Sequence, residues 1–276
     1  MRRPFVEVNV FSAEPLGGNP LAVVHRAEGL SEAQMAALAR WTNLSETTFL
    51  FPPRDKRADY YVRIFTPSGE LPFAGHPTLG SCHAWLRAGG KPRSAGLVLQ
   101  ECGVGLVQVR CDGPRLEFAA PPLKRTGALE PDVLEHICRA LGISGSDIVH
   151  HQWVDNGPGW CAVMLRSARD VLALKPDWAA LAPLKLGVVG PQESGHDAAF
   201  EVRAFVGGGG YEDPVTGSLN ASLGQWLIGA GLAKSSYVAA QGTALRRAGR
   251  VYVRKHGDEV WVGGDVVDVV KGEVEL

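Results

Sequence analysis

The second half of the chain repeats the first half, most clearly where a strand leads through a glycine-bearing loop into a helix. Val62-Arg63-Ile64-Phe65 precedes Gly75-His76-Pro77-Thr78, and Val202-Arg203-Ala204-Phe205 precedes Asp213-Pro214-Val215-Thr216-Gly217-Ser218. The two copies lie about half of the 276 residues apart, which is too long a period for the units of a solenoid. The repeat therefore predicts two like domains, each presenting the start of a helix.

The boundary between the two copies is predicted where proline and basic residues interrupt the pattern. Pro121-Pro122 with Lys124-Arg125 is typical of a linker, so we expect domains at 1–122 and 123–276. The final stretch, Val266–Val274, is strand-like and can cross back to the first domain.

Charge and hydropathy narrow the range of partners. Lys and Arg number 28 against 29 Asp and Glu, so no domain has the basic surface that nucleic acid binding requires. No stretch approaches the roughly 18 consecutive apolar residues of a membrane span. No apolar h-region follows Met1-Arg2-Arg3-Pro4, so a secretory signal is not expected. The five cysteines are odd in number and lack C-x-x-C spacing, which predicts reduced, mostly buried thiols in a cytoplasmic protein.

Most segments are short, β-branched and bounded by glycine or proline, which indicates a strand-rich α/β protein. The predicted strands are 5–11, 20–24, 46–52, 59–65, 95–101, 104–111, 115–119, 148–154, 160–165, 185–190, 198–206, 236–241, 250–255, 259–263 and 266–274. Ser31 and Gln34 form a capping-box pattern for a helix to about Arg40. Pro77 fits a first helical residue, and the helix after it is apolar on most sides, so we expect it inside a sheet or barrel.

Several common catalytic patterns are missing from the sequence. No G-x-G-x-x-G links a strand to a helix, no G-x-S-x-G elbow exists, and no His, Cys and carboxylate set has metal-ligand spacing. These absences argue against a dehydrogenase, a serine hydrolase and a zinc enzyme.

Four polar residues remain as candidates for chemistry, and each also has a purely structural interpretation. Glu46 enters an apolar strand, where burial would raise the pKa of its carboxyl toward the range of a general acid–base, or it is an exposed strand-end residue. His76 precedes Pro77 at a helix start and is otherwise a packed or capping histidine. Asp213 precedes Pro214 and could form an Asx-turn. Ser218 could be the N-cap of the second helix.

Taken together, the four residues suggest one site. The repeat places His76 and Ser218 at nearly equivalent positions. If two like domains face each other, both helix starts point at one cleft, which favours a carboxylate-bearing ligand. Glu46 and Asp213 would then face that ligand from different directions. A general base, a second proton-handling group and an anion clamp suffice to move a proton on carbon without a cofactor.

The sequence resembles the PhzF family of phenazine-biosynthesis isomerase-like proteins. The matching stretches occur in the family's order from residue 8 to beyond residue 242. They are Val8-Asn9-Val10-Phe11, Gly17-Gly18-Asn19-Pro20, Leu44-Ser45-Glu46-Thr47-Thr48-Phe49, Ala74-Gly75-His76-Pro77-Thr78-Leu79-Gly80, Glu212-Asp213-Pro214-Val215-Thr216-Gly217-Ser218 and Gln241-Gly242.

The resemblance implies an α+β fold similar to diaminopimelate epimerase. In that fold two similar domains each wrap a curved, mostly antiparallel sheet or barrel around a central helix, the active-site cleft lies between them, and the protein forms a homodimer. The family's catalytic glutamate, histidine, aspartate and serine fall on Glu46, His76, Asp213 and Ser218. In the phenazine enzyme the glutamate takes a proton from one ring carbon of a dihydro-hydroxyanthranilate and the proton returns at another, with no metal or organic cofactor.

One departure limits the comparison with the epimerases that share this fold. Those enzymes use one thiol from each domain, whereas neither helix start here carries a cysteine at the matching place. Cys82 lies a turn and a half inside its helix and is expected in the core. Epimerisation by a pair of thiols is therefore disfavoured.

The leading hypothesis is a cofactor-independent isomerase that shifts a proton on a small carboxylate-bearing metabolite. Glu46 is the acid–base group, and His76 and Asp213 assist proton transfer or polarise the substrate. The residues assigned to substrate binding are Ser45, Gly75, Gly217 and Ser218. Two alternatives stay open: a two-base epimerase or racemase using Glu46 and Asp213, and a non-catalytic metabolite-binding protein on the same fold.

Overall fold

A computed structural model describes residues 1–111, 113 and 115–276 of the chain. The chain divides into two compact units. The first contains Met1–Ala119 and Gly263–Leu276, and the second contains Ala120–Val262. The C-terminal segment thus belongs to the same unit as the N-terminal one.

The first unit contains nine strands and two helices among its described residues. They are β1 (Arg2–Val10), β2 (Asn19–Val24), α1 (Glu32–Thr42), β3 (Thr47–Phe51), β4 (Tyr60–Thr66), β5 (Gly69–Leu71), α2 (Gly75–Arg87), β6 (Leu97–Cys102), β7 (Gly105–Arg110), β8 (Leu116–Ala119) and β17 (Val266–Glu275). The strands pair in the order β17-β1-β2-β3-β4-β6-β7-β8, and β5 forms a hairpin with β4. The β2–β3 and β4–β6 pairs are parallel and the others antiparallel.

The second unit begins with a surface helix and then follows the same plan. Its elements are α3 (Pro131–Leu141), β9 (Ile148–Trp153), β10 (Trp160–Leu165), α4 (Ala168–Ala173), α5 (Trp178–Leu181), β11 (Lys185–Pro191), β12 (Phe200–Val206), β13 (Tyr211–Asp213), α6 (Gly217–Gly229), β14 (Ser236–Gln241), β15 (Gly249–His256) and β16 (Glu259–Gly264), whose last two residues belong to the first unit.

The strand pairings of the second unit repeat those of the first. The order is β9-β10-β11-β12-β14-β15, with parallel pairs β10–β11 and β12–β14 and a hairpin of β13 on β12. In each unit the long helix follows directly after the short hairpin strand. The sequence repeat therefore corresponds to a repeated order of elements.

Helix α2 is the buried element of the first unit, as its apolar character predicts. Its residues 75–82 are all buried, and strands β1, β2, β3, β6, β7, β8 and β17 all contact it. Gly80 allows the close approach, because a Cβ at this position would lie 2.5 Å from Leu21 Cδ2. The polar side chains inside the helix are paired: Ser81 Oγ donates to Thr48 Oγ1, which removes the cost of burying them.

Helix α6 is correspondingly buried in the second unit, with nine of its 13 residues buried. It packs on β15, where a Cβ at Gly224 would lie 2.6 Å from Val253 Cγ1. A close helix–strand approach at a glycine is thus used in both units.

An arginine–glutamate ion pair, not predicted from the sequence, tethers the short hairpin strand in each unit. Arg63 Nε donates to Glu70 at 2.7 Å, and its guanidinium lies 5.0 Å from the Phe65 ring centroid. In the second unit Arg203 Nη2 donates to Glu212 at 2.7 Å and lies 4.8 Å from the Phe205 centroid. The repeated Val-Arg-x-Phe motif contains both arginines, so the sequence did carry a pattern that could have indicated this pair.

The predicted capping box of α1 is confirmed, because Ser31 and Gln34 cap the helix reciprocally. Helix α3 ends at Gly142 in the left-handed conformation, with φ of 65°. The start of α2 was misplaced: it begins at Gly75, so Pro77 is its third residue. This costs nothing, because the amide that proline lacks has no partner within the first turn of a helix.

The cysteines are free in the described part of the chain, with Cys82, Cys102 and Cys161 buried and the other two half-buried. Cys82 is fully enclosed in the core of the first unit, as predicted. Among the described residues, no helix has both the length and the apolar character needed to cross a membrane.

Candidate functional site

Glu46 lies in the turn between α1 and β3, one residue before the strand rather than inside it as the sequence predicted. Helix α1 ends because Asn43 adopts the left-handed conformation, with φ of 53°. The chain then turns through Leu44 and Ser45, both half-buried, into β3. The Glu46 side chain is only 15% exposed, so the interpretation as an exposed strand-end residue does not hold.

The side chain of His76 faces Glu46. His76 is the second residue of α2 and is 5% exposed, and its Nε2 lies 3.3 Å from Glu46 Oε2. Gly75, the first residue of the helix, is also buried. The structure thus brings together two of the predicted residues, which are separated in sequence by the three strands β3, β4 and β5.

The His76 ring is neutral at physiological pH. Burial lowers the pKa of His76 to about 3, although a hydrogen bond with the Pro20 backbone opposes the shift. The contact with Glu46 is therefore not an ion pair. A neutral imidazole has one N–H and one lone pair, so a hydrogen bond between these two side chains needs one proton between Nε2 and Oε2. That arrangement suits a pair that passes a proton.

The buried histidine makes the stability of the fold depend on pH. The unfolded chain restores the ordinary His76 pKa of 6.5. Between pH 6.5 and 3 the unfolded state therefore binds a proton that the folded state does not, and the free energy of unfolding falls as the pH drops. When the pH is lowered from 7 to about 4.5, the free energy of unfolding should therefore fall less in His76→Gln than in the wild type. The difference should be roughly 2–3 kcal/mol.

Urea unfolding at the two pH values measures this difference. His256→Gln, the same change at an exposed histidine, serves as the control and should keep the pH dependence of the wild type. An unchanged pH dependence in His76→Gln would show that the ring is not held neutral by burial.

Asn19 and Pro20 complete the surroundings of His76 and were not among the predicted site residues. Asn19 Nδ2 lies 3.5 Å from His76 Nδ1. The preceding Gly18 fits only without a side chain, because a Cβ there would lie 1.9 Å from Val10 O, and its amide donates to Asn9 Oδ1. The Gly17-Gly18-Asn19-Pro20 motif therefore positions a histidine partner, a role that the sequence did not reveal.

Asp213 ends β13 in the second unit and is half-buried. Its Oδ2 accepts a hydrogen bond of 2.6 Å from the hydroxyl of Thr216, and its backbone carbonyl accepts one of 3.1 Å from Gln241 Nε2. The carboxylate is thus held by a side chain from the following turn. Neither Thr216 nor Gln241 was assigned a role from the sequence.

Ser218 is the second residue of α6, the same place that His76 has in α2. It is not the N-cap, because the helix begins at Gly217 and its N-cap is Thr216, which makes no side-chain cap. The hydroxyl of Ser218 accepts from Trp160 Nε1 at 3.1 Å, and its carbonyl accepts from Asn156 Nδ2 at 3.0 Å. An indole N–H only donates, so the Ser218 hydroxyl keeps its own proton for another acceptor.

The predicted residues therefore form three local groups. The first unit brings Glu46 and His76 together, with Ser45 and Gly75 adjacent to them in sequence. The second unit has one group around Asp213 and another around Ser218, with Gly217 buried between them in sequence. Among the described residues no three His, Cys, Asp or Glu side chains form a cluster that could hold a metal ion.

Comparison with known proteins gives matches over the whole chain. A family model described as phenazine biosynthesis-like protein, PhzC-PhzF, matches residues 8–272. Antisense-enhancing sequence 1 of Schizosaccharomyces pombe is 36% identical, over 98% of this chain and 97% of its own length. The trans-2,3-dihydro-3-hydroxyanthranilate isomerase of Pseudomonas chlororaphis is 33% identical over 99% of both chains.

Solved structures agree with this assignment. A PhzF-family protein of Enterococcus faecalis matches with a TM-score of 0.83 and 26% identity over 100% of both chains. A hydroxyproline epimerase from Agrobacterium vitis matches with a TM-score of 0.57 at 16% identity over 99% of this chain and 92% of its own, which shows a shared mixed α/β fold. This chain belongs to the PhzC-PhzF family of phenazine biosynthesis-like proteins, which includes proteins named as isomerases.

Proposed function

We propose that the protein is an isomerase that moves a proton from one carbon to another on a small carboxylate-bearing metabolite, with no cofactor. The contact of Glu46 with the neutral ring of His76 carries this proposal. A carboxyl group that is only 15% exposed and lies 3.3 Å from an uncharged imidazole can remove a proton from carbon and return it. A purely structural role would not require a carboxyl group in that position.

In this proposal Glu46 is the acid–base group and His76 accepts or supplies the proton that Glu46 exchanges. Asp213 assists proton transfer or polarises the substrate. Amides at the starts of α2 and α6, from Gly75 and Gly217, together with the hydroxyls of Ser45 and Ser218, bind the substrate carboxylate. Helix starts favour anions because their amides are not used inside the helix. That both groups act on the same substrate molecule is the prediction of the sequence repeat.

The name of one relative supports the proposed substrate class. The Pseudomonas chlororaphis relative is named for trans-2,3-dihydro-3-hydroxyanthranilate, so this compound is the first candidate to test. We further propose the arrangement that the family resemblance implied, with a central helix in each domain and a homodimer. Light scattering after gel filtration measures the subunit number.

Turnover in deuterium oxide, followed by proton NMR, tests the proposed function. The substrates to offer are trans-2,3-dihydro-3-hydroxyanthranilate and a panel of small amino- and hydroxycarboxylates. An isomerase places deuterium at a carbon different from the one that lost its proton. Deuterium at the original carbon with inversion would instead show an epimerase. Binding without exchange would show a non-catalytic metabolite-binding protein, and either of these results would overturn the proposal.

A further inference from the structure

Three side chains in the second unit form a directed chain of hydrogen bonds that ends on Asp213. Gln241, the last residue of β14, is fully buried and Thr216 is 5% exposed. Gln241 Nε2 lies 3.0 Å from Thr216 Oγ1, and Thr216 Oγ1 lies 2.6 Å from Asp213 Oδ2. The donor and acceptor of each hydrogen bond can be derived from neighbouring backbone groups, which act either only as donors or only as acceptors.

The backbone fixes the orientation of the Gln241 amide. The Thr216 backbone N–H can only donate, and it lies 3.0 Å from Gln241 Oε1. The Asp213 backbone carbonyl can only accept, and it lies 3.1 Å from Gln241 Nε2. Exchanging the oxygen and nitrogen of the amide would place two donors together and two acceptors together. The Nε2 group therefore donates to the hydroxyl oxygen of Thr216.

The donation continues from the hydroxyl to the carboxylate. Because Thr216 Oγ1 accepts from Gln241, its own proton goes to Asp213 Oδ2. A proton placed on Oδ2 would take this acceptor away from a buried hydroxyl, which is costly. Oδ2 thus remains an acceptor, and a proton that Asp213 carries has to reside on Oδ1.

We propose that Thr216, oriented by Gln241, is a positioning residue that keeps Asp213 Oδ2 as an acceptor and confines proton exchange with the substrate to Oδ1. The inference rests on the proposed function, in which Asp213 handles a proton or polarises the substrate.

The first unit contains a similar pair without a carboxylate, which provides a matched control. Gln100 Nε2 donates to Thr78 Oγ1 at 3.0 Å, but the Thr78 hydroxyl donates to the Ala74 backbone carbonyl at 2.9 Å. Both threonines are buried near a helix start. Replacing either by valine removes a buried hydroxyl of the same kind, but only one change affects a carboxylate.

The test compares Thr216→Val, Thr216→Ser and Thr78→Val by the pH dependence of kcat with trans-2,3-dihydro-3-hydroxyanthranilate. Loss of a hydrogen bond to a charged group should lower kcat of Thr216→Val roughly 10- to 100-fold. It should also move the acid limb of the profile to higher pH by about one unit. Thr216→Ser should restore both, and Thr78→Val should leave the acid limb unchanged.

An NMR titration without substrate reports directly on the Asp213 carboxyl group. With ¹³C-labelled aspartate, the Asp213 carboxyl signal should titrate at higher pH in Thr216→Val than in the wild type. An unchanged titration and an unchanged profile in Thr216→Val would overturn the inference. The Asp213→Asn variant distinguishes a failure of the proposed role of Asp213 from a failure of the proposed role of Thr216. Full activity in that variant refutes the proposed role of Asp213, whereas an inactive Asp213→Asn beside an unaffected Thr216→Val refutes only the role of Thr216.

Discussion

Glu46→Gln should lower kcat by about 10²–10⁴, because the variant loses the group that removes the proton from carbon. Glutamine has nearly the same shape, and its amide can keep the contact with His76 Nε2, which lies 3.3 Å from Glu46 Oε2. We therefore expect the fold and the binding of substrate to be retained. Steady-state kinetics and calorimetric binding on the same preparation separate the two effects.

The control for this variant is Glu32→Gln, the same change at an exposed carboxylate of the first unit. It should keep the kcat of the wild type. Full turnover by a folded Glu46→Gln protein would exclude Glu46 as the general base.

Glu212→Gln should destabilise the protein by about 3–5 kcal/mol, the usual cost of removing one partner of a buried ion pair. The Arg203 and Glu212 side chains are 7% and 5% exposed. Arg203 would keep its two hydrogen bonds to the carbonyls of Val171 and Leu174, but its charge would lose the carboxylate of Glu212. Urea unfolding measures the loss of unfolding free energy, provided that its dependence on urea concentration, the m-value, is unchanged in the variant.

The repeat supplies the matched comparison. Glu70→Gln removes the corresponding carboxylate from Arg63, but here the side chains are 20% and 36% exposed, and Glu32 also contacts the arginine. Exposed pairs typically contribute only about 0.2–1 kcal/mol. We expect a loss in that range, and equal losses in Glu70→Gln and Glu212→Gln would contradict the argument from burial.

Two strands with compact apolar runs were predicted well from the sequence. The bounds of β10 (Trp160–Leu165) and β14 (Ser236–Gln241) are those predicted, because each has a β-branched or apolar run between turn residues. The short strands β5 and β13 were missed. They have three residues each and depend on pairing with β4 and β12 and on an ion pair to an arginine, which is tertiary information.

Prediction of the candidate site was likewise limited by its dependence on tertiary contacts. Glu46 and His76 could be selected from their contexts, and the structure places them in contact. The neutral state of His76 could not be derived, because it results from burial by strands that are distant in sequence. Gln241 likewise reaches Asp213 only because β14 pairs with β12. The assignment of the residues to one substrate remains a prediction.

The proton-removal step itself can be measured without full turnover. Substrate is incubated in deuterium oxide with wild-type protein or Glu46→Gln, and loss of the proton from the starting carbon is followed by NMR. We expect rapid exchange with the wild type and exchange slower by at least about 10² with the variant. Exchange at the wild-type rate in a folded Glu46→Gln protein would show that another group removes the proton.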